Sequence, residues 1–283
     1  MIKKLKIYVT IASLFILGSC SIAGSWFYER ADIYLADYFK EYANFSNDQK
    51  DEIDKVTKNY LNWFTTNELP VIRDLLVNLK GINNSNANNV IDETYVIGQR
   101  LFARSNKYFE KSFIEFFKSL TDLQVSEITA HFEEIRIERE ESRKDQNTYP
   151  EEVFENYISG FRRLNIKLTK PQRDYVKENI KGLKNIRTDW SAFQKKWVEE
   201  LIGILEKRND QDFEMKITAH LRNLESLGDE EFQLKRKNNE QIGIKIISGI
   251  LANASEKQMK GAKRRIDTYI ASIDRILSNR VLD

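Results

Sequence analysis

The chain is predicted to be all-α, a multi-helix bundle of roughly eight to ten helices with no sheet. Three observations predict this. Apolar residues recur every three or four positions along nearly the whole chain, the spacing of a helix face. The 283 residues include only three prolines and eleven glycines, too few to punctuate many strands and turns. No segment alternates apolar and polar residues as a half-buried strand does. With 41% hydrophobic and 31% charged residues, the composition is that of a globular chain able to bury a large core.

The first segment, residues 1–19, reads as a signal peptide. Lys3, Lys4 and Lys6 precede an apolar run from Ile7 to Leu17, and the small residues Gly18 and Ser19 follow. The run is shorter than the ~20 residues needed to span a bilayer. Leu17-Gly18-Ser19-Cys20 resembles the bacterial lipobox, in which the cysteine sulfur accepts a lipid and the chain is cut just before it. Cys20 is the only cysteine, so it has no disulfide partner within the chain. Acylation, including palmitate, is therefore expected at Cys20, with residues 20–283 forming the lipid-anchored domain. Ser21 lacks the aspartate that marks inner-membrane retention in enterobacterial-type lipoproteins. The resemblance thus implies the periplasmic face of the outer membrane in a Gram-negative host. The full chain is formally +2. Loss of the three leader lysines leaves about −1, which provides no net field for nucleic acid.

The helical stripes then follow in order. Phe27, Ala31, Tyr34, Tyr38 and Tyr42 form the first, and Ile53, Val56, Tyr60 and Phe64 the second. Leu69, Ile72, Leu76 and Leu79 form a third that stops at Gly81, before a polar loop over 82–89. Phe109, Phe113, Phe116 and Leu120 mark a long helix, followed by Val125, Ile128, Phe132 and Ile135. Residues 138–148 read as a solvated helix end and connector, so two halves could meet near 144–150. Pro150 suits the first turn of a new helix, whose stripe is Val153, Tyr157, Phe161, Leu164 and Leu168. The longest register, Val176 to Ile204, predicts one helix of about 35 residues, bent near Gly182. Phe213–Leu224, Ile242–Ile250 and Met259–Leu277 complete the set.

Four segments share the pattern [ST]-x-x-Q: Ser46–Gln49, Thr121–Gln124, Thr169–Gln172 and Ser255–Gln258. Each precedes a helical stripe. A hydroxyl followed three residues later by Gln is a capping box, which predicts four helix corners. The spacing between them is unequal, unlike a regular solenoid.

The stretch from Phe45 to Leu76 resembles a proteobacterial lipoprotein family known only as a domain of unknown function (DUF family 6279). The resemblance rests on Cys20, the aromatic first helix from Trp26 to Tyr42, the Ser46–Gln49 corner, and Trp63 with Glu68-Leu69-Pro70. It implies a helical fold and an envelope address but no activity. Leu120-Thr121-x-x-Gln124 and Leu168-Thr169-x-x-Gln172 are also similar to the L-T-x-x-Q mark of periplasmic helical stress proteins. That looser similarity implies a helical surface able to hold clients.

No residue set points to a reaction. His131 and His220, the only histidines, lie beside apolar residues without a ligand pattern, so they read as boundary residues rather than metal ligands. Neither a nucleotide-binding nor a hydrolase motif occurs, and no cofactor is expected. The acidic pairs Glu133-Glu134 and Glu140-Glu141 diverge on a helix and read as solvated faces paired with Arg136, Arg139 and Arg143. Trp190, Phe193 and Trp197 read as core, the alternative being a groove. Lys257, Lys260 and Arg264 share a helical face that reads as solvated, the alternative being contact with lipid phosphate. The expectation is a non-enzymatic binding or envelope-maintenance lipoprotein. Its partners would be the membrane, through lipid on Cys20, and a protein or envelope client, but not nucleic acid. The alternatives are a chaperone-like client binder and, from another class, a peptidoglycan hydrolase with buried acids distant in sequence.

Overall fold

The computed structural model describes residues 28–141, 149–222 and 228–279. Residues 1–19 and Cys20 lie outside these, as do Trp26 and Arg143. Among the described residues the chain forms eleven α-helices and no strand. They are α1 (Ala31–Lys40), α2 (Asn47–Asn67), α3 (Leu69–Lys80), α4 (Ala87–Lys118), α5 (Asp122–Glu141) and α6 (Tyr149–Arg163). The rest are α7 (Lys170–Ile180), α8 (Arg187–Leu205), α9 (Phe213–Arg222), α10 (Glu230–Ala252) and α11 (Glu256–Asn279). The all-α bundle matches the expectation from periodicity.

The register from Val176 to Ile204 is not one helix. It divides into α7 and α8, separated by residues 181–186. The reason is supplied from α10. Asn239 accepts the Lys184 N–H at 2.8 Å and donates to the Lys184 carbonyl at 2.7 Å. Asn238 donates to the Gly182 carbonyl at 3.0 Å. These bonds satisfy peptide groups that leave the helical ladder, so the break carries no orphaned donor or acceptor at Lys184.

Three buried apolar clusters hold the bundle. The first joins Leu61, Phe64, Leu69, Ile72 and Leu76 of α2 and α3 to Ile266, Ile273 and Ile276 of α11, with Tyr28 included. The second joins Ile82, Ala87 and Ile91 to Val176, Ile246 and Ile250. The third joins Ala36, Phe45 and Ile53 to Val125, Ile128, Leu201 and Ile217. Each cluster therefore contains side chains from before and after residues 142–148. Accordingly α3 packs along α11, and α4 along α10.

Candidate functional site

All four [ST]-x-x-Q segments are capping boxes. In each, the hydroxyl accepts from the Gln N–H, and the Gln Oε1 accepts from the cap residue's own N–H. The structure adds that the corners join in twos. Gln49 and Gln124 exchange amide hydrogen bonds at 3.1 and 2.7 Å, and Gln172 and Gln258 do so at 3.3 and 2.8 Å.

The second proton on each amide follows one rule. Gln49 donates to Ser119 O, Gln124 to Asn44 O, Gln172 to Asn253 O and Gln258 to Lys167 O. Each acceptor lies two residues before the opposite cap. Every amide thus accepts twice and donates twice, which is why four glutamines can be buried without an unmet group. The two pairs are equivalent junctions, one between the α1–α2 and α4–α5 corners, the other between the α6–α7 and α10–α11 corners. The sequence signalled the boxes but not their pairing, because pairing uses the spare donor of a side chain already explained by its cap.

Beside the first junction lies a cavity of about 200 Å³. Among the described residues, nine of its eighteen lining residues are aromatic, including Phe39, Tyr42, Phe113, Phe132 and Trp197, and Glu52 is the only charged one. Phe109, Phe113 and Phe117 form a stacked row along α4, with centroid spacings of 5.5 and 5.6 Å. Many of the lining aromatics are half-buried. Tyr42 packs its ring on Phe132 and His131 and bonds Tyr38 through its hydroxyl at 2.6 Å. Burial, with Tyr38 as the next cause, raises the Tyr42 pKa, so this hydroxyl stays neutral.

Trp190, Phe193 and Trp197 are all half-buried and do not act as one stripe. Trp190 and Phe193 pack on Phe232 of α10, whereas Trp197 packs on the third core cluster and lines the cavity. Trp197 also stacks on His220 at 4.9 Å. Trp197 Nε1 and His220 Nε2 are both buried without a hydrogen-bond partner. His220 is buried more deeply than a boundary residue, while His131 sits half-buried with Glu134 at 3.9 Å. Burial lowers the His220 pKa, against the opposing pull of Glu200.

The Trp63–Pro70 segment forms the tight α2–α3 corner. Glu68, its pivot, is fully buried. Its carboxylate lies 2.9 Å from Arg104 Nε, yet neither oxygen has an aligned hydrogen bond. Burial raises the Glu68 pKa, with Arg104 pulling the other way. Tyr60, Trp63 and Tyr108 stack nearby, and Tyr60 Oη lies 3.1 Å from Ser105 Oγ. Glu68 is the one buried carboxylate among the described residues, and a cation rather than a second acid stands beside it.

On α5, Arg136 bridges Glu133 and Glu140, as the helical spacing predicted. Among the described residues no three metal-ligating side chains gather, and no helix is long and apolar enough to cross a membrane.

An all-helical bundle with paired glutamine corners and an aromatic cavity defines a class of architecture rather than a chemistry. Residues 41–233 match the model of a family of unknown function (DUF6279), and the chain belongs to that family. No curated protein and no solved structure matches the chain.

Proposed function

We propose that this protein is a non-enzymatic binding protein of the bacterial envelope. It is a lipoprotein acylated on Cys20, held at the periplasmic face of the outer membrane, and it receives an apolar partner in the aromatic cavity. The cavity is the observation that carries the binding reading. A lining of aromatic and aliphatic side chains with one charged group disfavours a polar ligand, which would lose its hydration without gaining hydrogen bonds. It suits the apolar side chains of a client segment. The lipobox-like residues before Cys20 support the address.

Two measurements test this reading. The neutral dye Nile red should bind with a blue shift, and Val56→Trp, which fills the cavity from a half-buried lining position, should abolish that binding without lowering the melting temperature. Equal dye binding by both forms would refute the cavity as the site. Labelled palmitate should enter the wild type and not Cys20→Ala, and equal labelling would refute the anchor. A cross-linked pull-down from intact envelopes then identifies the client.

A further inference from the structure

The two glutamine junctions are equivalent in hydrogen bonding and opposite in charge. Residues 162–174 and 256–267, around the second junction, contain ten Lys or Arg and three Asp or Glu, a net of +7. The equivalent residues 39–51 and 122–133, aligned box on box, contain two cations and six acids, a net of −4. The whole chain is only +2, so this separation of charge is far larger than the net value suggests.

The packing makes the positive side one surface. Gln258 holds the Lys167 carbonyl at 2.8 Å, and Arg265 Nε reaches the Arg163 carbonyl at 3.2 Å. At Gly261 a Cβ would stand only 3.0 Å from the Asn165 carbonyl, so glycine lets the 163–169 loop lie directly on α11. Asn165 takes the left-handed conformation there (φ 58°). On α11 the buried face carries Gln258, Ala262, Ile266 and Tyr269. Lys257, Lys260, Lys263 and Arg264 project from the opposite face, are exposed, and make no ion pair among the described residues. Lys167 on the adjoining loop and Lys170 at the start of α7 are exposed. The acids in these segments are Asp174, Glu256 and Asp267, and Asp267 is taken by Lys80.

We infer that the second glutamine junction is a docking surface for an anionic phospholipid membrane. This placement rests on the lipoprotein reading. Tyr28 shares a core cluster with Ile266 and Tyr269 of α11. It stands eight positions after Cys20, at most about 26–29 Å of extended chain. An anchor at Cys20 and the basic face of α11 can therefore address the same membrane plane. Each Lys or Arg held near an anionic lipid surface adds about tenfold or less to binding, and several together are additive enough to fix orientation.

The test uses the full chain carrying Cys20→Ser, so that no acyl chain dominates. Co-sedimentation is compared on vesicles of phosphatidylcholine alone and vesicles in which a third of the lipid is phosphatidylglycerol. The difference between the two isolates the charge-dependent part. The expected result is that Lys257→Glu/Lys260→Glu/Arg264→Glu weakens that part at least tenfold, and that high salt does the same. The milder Lys260→Ala/Arg264→Ala should weaken it less. The control Lys55→Glu/Lys58→Glu/Lys107→Glu, with the same charge change elsewhere, should leave it within twofold. Circular dichroism melts verify that all variants fold.

Unchanged phosphatidylglycerol dependence in the triple variant would overturn the inference. So would full competition by inorganic phosphate, which would indicate a discrete anion site, or tighter binding of a DNA duplex through the same residues. Palmitate labelling of the unaltered chain is scored separately. A chain that binds through the basic face but takes no label would defeat the anchor and leave the surface standing.

Discussion

Gln49 and Gln124, 75 residues apart, hold each other by two amide hydrogen bonds inside the protein. Gln172 and Gln258 repeat the arrangement 86 residues apart. The caps and these cross-links make different energetic demands. Thr121→Ala removes a cap and should cost about 0.5–2 kcal/mol. Gln124→Ala removes the return bond of the cap and also leaves the buried Gln49 amide short of partners, which adds about 1–3 kcal/mol. Urea unfolding should therefore rank Gln124→Ala as the worse of the two. The double variant Gln49→Ala/Gln124→Ala should fall short of the summed single effects by about 0.5–3 kcal/mol. Strict additivity would show that the pair contributes nothing as a pair.

Trp197 both packs on a core cluster and lines a cavity, so its truncation enlarges existing empty space instead of creating a new void. Trp197→Ala should destabilise by less than the ~3–5 kcal/mol of a fully buried aromatic. Trp190→Ala should leave Nile red binding unchanged, because Trp190 packs on Phe232 and does not line the cavity. Denaturant titration and dye binding on the two variants separate these roles.

Glu68 has a raised pKa, so the folded protein holds its proton at pH values where the unfolded chain has released it. The contribution is fully present below the ordinary glutamate value of about 4.3 and is lost as pH rises through the folded value. Glu68→Gln cannot ionise. Relative to wild type, its unfolding free energy should improve as pH is raised from about 4 to about 7. A constant difference across that range would show that Glu68 does not titrate with folding.

His220 shifts in the opposite sense. Its pKa is lowered by burial, so the folded state prefers the neutral ring. Stability associated with this group is present above about 6.5, the unperturbed value, and is lost as pH falls through the folded value. His220→Gln should lose less stability than wild type on acidification through that window. Parallel acid titrations followed by tryptophan fluorescence measure this directly, since His220 stacks on Trp197.

Helix identity was legible in the sequence because burial of one face imposes its period on Leu69, Ile72 and Leu76 or on Ile266 and Ile273 directly. The four corners were legible for a similar reason: a capping box is completed within four residues. What escaped is non-local. The break after Ile180 depends on Asn238 and Asn239, more than 50 residues later, without which the apolar register reads straight through. The contact of Glu68 with Arg104 joins the α2–α3 corner to α4, elements that periodicity does not connect. The cavity is a failure of large side chains such as Phe113 and Phe132 to fill space, and periodicity reports which face is apolar, not whether it closes. The split of Trp190 and Phe193 from Trp197 likewise reflects which neighbour each meets, Phe232 or His220.

The interleaving of the bundle sets a schedule for the nascent chain. α3 and α4 are finished by residue 118, yet the helices that cover them, α10 and α11, are complete only at residue 279. At a synthesis rate of roughly 5–20 residues per second, that gap lasts on the order of 10–30 s. Throughout it, Ile72 and Leu76 lack the Ile266 and Ile273 that complete their cluster, and Ile82 and Ile91 lack Ile246 and Ile250. The first two core clusters close only when the last fifth of the chain, from α10 onward, is added.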